Sequence, residues 1–208
     1  MKPRFVVSGT DTNVGKTVFA AGLAGALTGY YWKPIQSGAA PEGDKETVMR
    51  LSGLPSDHIL PERYRLNAPL SPHRSAELDG ITIQPATLIP PDVEGPLIIE
   101  GAGGLMVPIT REFLQLDLYA KWDLPIILVA RTTLGTINHT LLSIAALRMR
   151  EVALLGVAFV GEDNADNIRT IGEIGDVGIL GRLPHLPQLN AHSLRDAFKA
   201  HFREEDFV

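Results

Sequence analysis

The sequence predicts an α/β fold in which a mostly parallel central sheet is flanked by helices on both faces. Three observations predict it. Short apolar runs alternate along the chain with stretches of helical pattern. The apolar runs are continuous, as is typical of strands buried on both faces. A glycine-containing loop lies between the first apolar run and a helical stretch rich in Ala and Leu, which is the order of a strand–loop–helix unit.

The predicted strands cover residues 5–8, 30–32, 96–100, 125–129, 154–160 and 177–180. The predicted helices cover residues 17–27, 44–51, 113–121, 137–150 and 164–174. Residues 52–91 are rich in proline and polar side chains without steady periodicity, so we expect a long excursion near the active face. We expect a single domain over residues 1–208, with residues 203–206 as a solvated end.

Composition and charge exclude several classes of protein. A net charge of −5 and a pI near 5.7 argue against a nucleic-acid partner, which would favour a basic face. The absence of cysteine excludes disulfides, thiolate metal sites and a cysteine nucleophile. The longest apolar run, residues 124–130, is far shorter than the ~20 residues of a membrane helix. The N-terminus has no secretory pattern, so we expect a cytoplasmic protein with no membrane partner.

The loop after the first strand is a variant of the phosphate-binding P-loop. It reads Gly9-Thr10-Asp11-Thr12-Asn13-Val14-Gly15-Lys16-Thr17. Its backbone N–H groups, at the positive end of a helix dipole, form a cradle for phosphate. Lys16 is placed to reach the terminal phosphates, and the Thr17 hydroxyl to ligate Mg²⁺. The first glycine lies one residue further back than the usual spacing. The loop therefore predicts a P-loop NTPase-like fold that uses ATP and Mg²⁺.

Further polar residues follow the other strands, at the sheet edge where ligands bind in such folds. Lys33 is either a solvated lysine or a second cation for phosphoryl transfer. Glu100, before Gly101-Ala102-Gly103-Gly104, is either a strand end or a carboxylate that holds Mg²⁺ beside Thr17. Asp44 is either a helix N-cap or a metal ligand. Residues 134–139 begin a helix. Its first N–H groups either bind a carboxylate, or the helix simply begins there with Thr136 as its N-cap.

Taken together, these segments resemble the dethiobiotin synthetases. The matching segments are residues 9–17, Lys33-Pro34-Ile35-Gln36-Ser37-Gly38, Ser71-Pro72-His73, residues 100–104 and Leu134-Gly135-Thr136-Ile137-Asn138-His139. They occur in the family's order and span most of the chain. The shifted first glycine, unusual for a general P-loop, is typical of the loop in this family.

The resemblance implies an ATP- and Mg²⁺-dependent ring closure of 7,8-diaminopelargonate with CO₂ in biotin biosynthesis. One amine captures CO₂ as a carbamate, whose oxygen attacks the γ-phosphate of ATP to give a carbamoyl–phosphate anhydride. The second amine then closes the ureido ring and expels phosphate. The resemblance also implies a homodimer with shared active sites, because the substrate carboxylate lies at a helix start of the partner subunit in this family.

Residue roles follow from the same resemblance. Lys16 and Lys33 are the implied catalytic residues, and Thr17, Asp44 and Glu100 the implied metal ligands. The implied nucleotide and metal contacts are Thr12, Asn13, Val14, Gly15, Lys16, Thr17, Val18, Asp44, Glu100, Gly101, Ala102, Gly103, Gly161, Pro184, His185 and Leu186. The implied substrate contacts are Thr12, Ser37, Leu134, Gly135 and Asn138. In this family an Asn contacts the adenine base, and Gly161 stands near its position in this sequence. Asn164 is an alternative residue for that contact.

Two other classes share this type of loop. Switch ATPases that position macromolecules usually have an additional lysine early in the loop, and residues 10–14 contain none. Those proteins are also expected to have a basic amphipathic tail, whereas the C-terminus here is acidic. Amidotransferase synthetases of corrin biosynthesis need a glutaminase partner or domain, normally with a cysteine nucleophile. The sequence favours the dethiobiotin synthetases over both.

Overall fold

The structure, a computed structural model, describes residues 2–38 and 42–207. Its strands are β1 (Arg4–Gly9), β2 (Tyr30–Trp32), β3 (Ile35–Ser37), β4 (Tyr64–Leu66), β5 (Leu97–Gly104), β6 (Ile126–Arg131), β7 (Leu154–Val160) and β8 (Ile179–Leu183). Its α-helices are α1 (Lys16–Ala26), α2 (Asp44–Ser52), α3 (Pro72–Asp79), α4 (Gln115–Trp122), α5 (Thr136–Met149), α6 (Ala165–Gly175) and α7 (Ala191–His201).

Six of the strands form one parallel sheet in the order β2-β5-β1-β6-β7-β8. Strand β1 lies between β5 and β6, with Val7 opposite Glu100 on one side and Ile127 on the other. The P-loop therefore leaves the middle of the sheet at the carboxyl edge, where the chain crosses to opposite sides of β1. The α/β fold predicted from the sequence is confirmed.

Helices cover both faces of the sheet, as the continuous apolar strands predict. Val7 of β1 packs in a buried cluster with residues of α1, α2 and α7, and its neighbour Val6 packs in a cluster with α4 and α5. Alternate strand residues point to opposite faces, so one short apolar strand serves two cores. Among the described residues, no helix is both long and apolar enough to cross a bilayer.

The excursion over residues 52–91 contains more structure than its sequence predicts. Its three-residue strand β4 pairs in parallel with β3, which precedes the excursion in the chain, to form a second small sheet, and α3 packs beside it. Ile35, Leu66 and Ala76 are buried there in a separate apolar cluster. The excursion thus forms one wall beside the carboxyl edge of the main sheet.

The C-terminal region contains a helix, α7, that the sequence analysis did not predict. Phe198 of α7 stacks on Phe202 with ring centroids 4.5 Å apart, and both rings contact Phe207. The expected solvated end is confirmed for residues 203–205, which are exposed, whereas Asp206 is half-buried and Phe207 is only 1% exposed. The end of the described chain is therefore anchored in the core beneath α1.

Candidate active site

The P-loop has the backbone geometry of a phosphate cradle. Gly15, the residue before α1, has φ of 90°, and a Cβ there would lie 2.7 Å from a methyl carbon of Val160. A Cβ on Gly9 would lie 2.8 Å from the Asp11 backbone oxygen and 2.9 Å from Lys16 Nζ. Glycine suits these two positions, because one requires a left-handed conformation and the other a close approach of the loop backbone. The shifted first glycine is therefore explained by the path of the loop over Gly9.

A cleft of about 910 Å³ lies in front of the P-loop and is closed on its far side by the excursion. The predicted site residues that line it are Thr12, Asn13, Gly15, Lys16, Thr17, Val18, Lys33, Ser37, Asp44, Glu100, Ala102 and Gly103. Ser71 and Pro72, which belong to a segment quoted for the resemblance, line it as well. The structure thus brings most of the predicted site into one cleft.

A cluster of charged and hydroxyl groups forms the floor of this cleft. The Thr17 hydroxyl donates to Oε1 of Glu100 at 2.9 Å, and Lys33 Nζ donates to the same oxygen at 3.2 Å. Lys33 Nζ also donates to Oδ2 of Asp44. Lys33 is 6% exposed and Glu100 1%, so this is not a solvated surface pair. Of the two interpretations of Lys33, the one with a buried lysine at the site fits the structure.

Burial and charge set the protonation of the two lysines. Burial alone lowers the pKa of Lys33, but the carboxylates of Glu100 and Asp44 outweigh it and raise that pKa. The pKa of Lys16 is lowered, chiefly by burial and in smaller part by the charge of Lys33, against the attraction of Glu100. Lys16 Nζ donates to the backbone oxygen of Asp11 at 2.8 Å. Two buried lysines therefore lie at one phosphate cradle.

Asp44 is the first residue of α2, not its N-cap. The cap position is held by Gly43, whose N–H donates to the Glu46 carboxylate at 2.8 Å. The Asp44 N–H donates to Oε1 of Gln36 at 3.1 Å. The Asp44 side chain faces Lys33 and the cleft, so the N-cap interpretation is wrong and the carboxylate is available to the site.

Strand β5 continues to Gly104 instead of ending at Glu100. Glu100 therefore lies within the strand, and residues 101–104 extend towards the P-loop, where Gly104 pairs with Gly9. Gly101 does not line the cleft, unlike Ala102 and Gly103. A Cβ on Gly101 would lie 1.8 Å from the Tyr119 hydroxyl, so close packing explains this glycine.

A second recess, of about 430 Å³, adjoins the other side of the P-loop. The predicted residues that line it are Asn13, Val14, Gly15, Val18, Gly161, Pro184, His185 and Leu186. The alternative reader of adenine, Asn164, is not among its lining residues. Its side chain caps α6 by accepting from the Asn167 N–H and donates to the Thr132 carbonyl. Gly161 has φ of 139°, and a Cβ there would lie 2.5 Å from the Thr132 hydroxyl oxygen.

Comparisons with known proteins agree with this geometry. A family model described as an AAA domain matches residues 3–193. The ATP-dependent dethiobiotin synthetase BioD of Rhodopseudomonas palustris strain HaA2 is 56% identical, over 100% of this chain and 98% of its own. The protein of the same name from Bradyrhizobium sp. strain BTAi1 is 57% identical over the whole of both chains. The chain belongs to the dethiobiotin synthetase family.

Solved structures show the same fold at much lower identity. A ParA family ATPase from Chlorobium tepidum TLS is 16% identical, with a TM-score of 0.55 over 95% of this chain and 98% of its own. The MinD cell division protein of Aquifex aeolicus is 13% identical, with a TM-score of 0.52 over 95% of this chain and 96% of its own. At such identities these likenesses show the P-loop NTPase fold alone.

One group of residues expected in a dethiobiotin synthetase site does not reach the cleft. Leu134, Gly135 and Asn138 line neither the cleft nor the second recess, and all are exposed, Leu134 by 97%. Gly135, with φ of 92°, occupies the cap position of α5. Thr136 is instead the first helical residue, and its buried hydroxyl donates to the Arg131 carbonyl, so its predicted place as the cap is wrong.

The sequence analysis gave no role to two residues near the site. The Tyr31 hydroxyl donates to Oε2 of Glu100 at 2.8 Å. Complete burial, followed by the charge of Glu100, holds the pKa of Tyr31 well above its usual range. Gln36 accepts from Asp44, as described above. Tyr31 gives no sequence signal, because an aromatic residue in a strand is typical of a core, whereas Gln36 lies inside a quoted segment.

Proposed function

We propose that this chain closes the ureido ring of dethiobiotin from 7,8-diaminopelargonate and CO₂ at the expense of ATP. One observation carries the proposal beyond family membership. The Lys33 ammonium, the Thr17 hydroxyl and two carboxylates meet at the mouth of a phosphate cradle, in a cleft wide enough for a second substrate. In the proposed reaction the substrate supplies both nucleophiles, which fits a chain without cysteine.

The oxygen groups around Lys33 are chemically suited to Mg²⁺. This ion prefers one or two carboxylates together with phosphate oxygens and water, and Thr17, Asp44 and Glu100 supply a hydroxyl and two carboxylates. Among the described residues, no group of three or more His, Cys, Asp or Glu side chains is placed to hold a metal ion. Bound there, Mg²⁺ would neutralise charge on the phosphates. We propose these residues as its ligands.

The two lysines act on the transferred phosphoryl group in this proposal. Lys16, on the P-loop, binds the terminal phosphates. Lys33, on the floor of the cleft beside Asp44 and Glu100, stabilises the charge that develops between carbamate and phosphate. Both ammonium groups are buried, where electrostatic stabilisation is stronger than in water. The adenine is assigned to the second recess, between the P-loop and residues 184–186.

The diamine occupies the part of the cleft near Thr12 and Ser37. Among the described residues, the Ser37 hydroxyl oxygen is buried without a hydrogen-bond partner, and an amine or carbamate would give it one. We propose that the substrate carboxylate binds the N-terminus of α5 of a second copy, at Leu134, Gly135 and Asn138. A homodimer with shared sites follows. We further propose that the chain is one domain and acts in the cytoplasm.

The test is ADP release by the purified protein with MgATP and bicarbonate, with and without 7,8-diaminopelargonate. We expect the diamine to stimulate ADP release and dethiobiotin to be detected by mass. ATP turnover that ignores the diamine, with no new product, would contradict the proposal and favour a switch ATPase. Bicarbonate depletion is the matched control, since it should abolish the product without affecting binding of MgATP.

A further inference from the structure

Tyr31 lies outside the residues used in the proposed function, yet it contacts the centre of the site. It is the middle residue of β2 and is 0% exposed. Its backbone pairs with Ile98, two residues before Glu100 on β5, and its ring packs in the cluster that includes Phe5 and Val7. The hydroxyl thus reaches Glu100 from a buried apolar cluster, and Tyr31 does not itself line the cleft.

The two oxygens of Glu100 have different partners. Oε1 accepts from the Thr17 hydroxyl and from Lys33 Nζ, both of which line the cleft. Oε2 accepts from the Tyr31 hydroxyl. The last torsion of a glutamate is broad and nearly two-fold, so the side chain alone does not fix the carboxylate plane. A donor on one oxygen decides where the other one points, and a hydrogen bond to a carboxylate is among the stronger ones.

We propose that Tyr31 is a positioning residue, which holds Oε2 of Glu100 so that Oε1 is presented beside Thr17 for the metal and phosphate chemistry of the cleft. The inference rests on the proposed function only in taking Glu100 as a metal ligand. A group that orients a ligating carboxylate in this way typically affects metal affinity as well as activity. Without the hydroxyl, Oε2 would be a buried acceptor lacking this donor, and the carboxylate would turn to find another.

The test compares Tyr31→Phe with Tyr119→Phe. Tyr119 is equally buried, and its hydroxyl donates to the neutral Ser8 hydroxyl at 3.5 Å, so it is a matched control for the loss of one buried phenol oxygen. ADP affinity is measured by calorimetry at saturating Mg²⁺ and again in EDTA. The ratio of the two affinities reports the contribution of the metal without requiring the diamine reaction.

We expect Tyr31→Phe to reduce this ratio by about 10-fold or more, with ADP affinity in EDTA unchanged, because partners of metal ligands typically account for 10- to 100-fold in metal affinity. Tyr119→Phe should leave the ratio at the wild-type value even if both variants melt earlier. An unchanged ratio in Tyr31→Phe, or an equal change in both variants, would overturn the proposal.

A second comparison separates an effect through Glu100 from a general packing effect of Tyr31→Phe. In a Glu100→Gln background the carboxylate is absent, so adding Tyr31→Phe should change the metal ratio by less than in the wild type. Equal changes in both backgrounds would show that Tyr31 does not act through Glu100. Because diamine is left out, failure of this test is distinguishable from failure of the proposed synthetase activity.

Discussion

The phosphate-binding side of the site and the helix start at residues 134–138 differ sharply in burial. Lys33 and Glu100 are 6% and 1% exposed and contact each other, whereas Leu134 is 97% exposed. The first region uses charges that lie at the starts of α1 and α2, within β5 and in the short link between β2 and β3. The second offers the first N–H groups of α5 and the exposed amide of Asn138.

The difference follows from the chemistry proposed for each region. Stabilising charge on a transferring phosphoryl group requires fixed cations in a dry site, and a single folded chain supplies that here. Binding a remote carboxylate requires only a helix N-terminus, which a second copy is able to supply. Exposed Leu134, Leu142 and Met149 lie along this side of α5 or just before it and would be covered in such a dimer. Three predictions sharpen the comparison.

The largest effect is expected for Lys33→Ala. Removing a fixed cation that stabilises developing charge should lower kcat for dethiobiotin formation by about 10²- to 10³-fold. The KM for the diamine should change little, because the carboxylate is assigned to the other region. Lys199→Ala, which removes an exposed lysine on α7, is the control in the same steady-state assay. Full turnover by Lys33→Ala would remove this residue from the mechanism.

A weaker effect is expected for Leu142→Asp, measured as the dimer dissociation constant by analytical ultracentrifugation. Burying an unpaired carboxylate in the proposed interface should weaken the dimer by roughly 10²-fold. Ile174→Asp, at a similarly exposed apolar position on α6, should leave the dimer intact. If Leu142→Asp stays as dimeric as the wild type, this side of α5 is not the interface.

The smallest effect is expected for Asn138→Ala. Losing one hydrogen bond to a carboxylate should raise the KM for the diamine by about 10-fold, with ADP affinity unchanged. The matched measurement is ADP binding by calorimetry, which reports only the phosphate-binding region. A changed ADP affinity with an unchanged KM for the diamine would show that Asn138 acts on the phosphate-binding region and does not bind the substrate carboxylate.

The sequence predicted the main sheet well, because each of its strands is a local apolar run. Strands β2 and β7 have the predicted bounds, and β1 differs by one residue at each end. Strands β3 and β4 were missed, since three residues carry no periodicity and their pairing joins Ile35 to the distant Tyr64. Helix α7 had a usable signal that was overlooked: Asn190 caps it, and Leu194 and Phe198 are four residues apart on its buried face.

The placement of Lys33 and Glu100 at the cleft was predictable from local sequence, because Lys33 follows one short apolar run and Glu100 ends another. Contacts that depend on three-dimensional neighbours were not predictable in this way. The contact between Tyr31 and Glu100 joins residues 69 positions apart on adjacent strands, and no local pattern encodes it. Likewise, the sequence suggests that Gly101 belongs to a nucleotide-binding loop. In the structure a side chain at this position would clash with the Tyr119 hydroxyl.

Mixing two variants with lesions in different regions, Lys33→Ala and Asn138→Asp, tests most directly whether the two regions of one site come from different chains. After dissociation and reassociation, half of the dimers are mixed, and in each mixed dimer one site carries both lesions and the other carries none. We therefore expect about a quarter of wild-type activity per chain to return, as two-fold symmetry dictates for shared sites. If each chain builds its own complete site, every site in the mixture keeps one lesion. A mixture that is no more active than its separate components would therefore contradict the account.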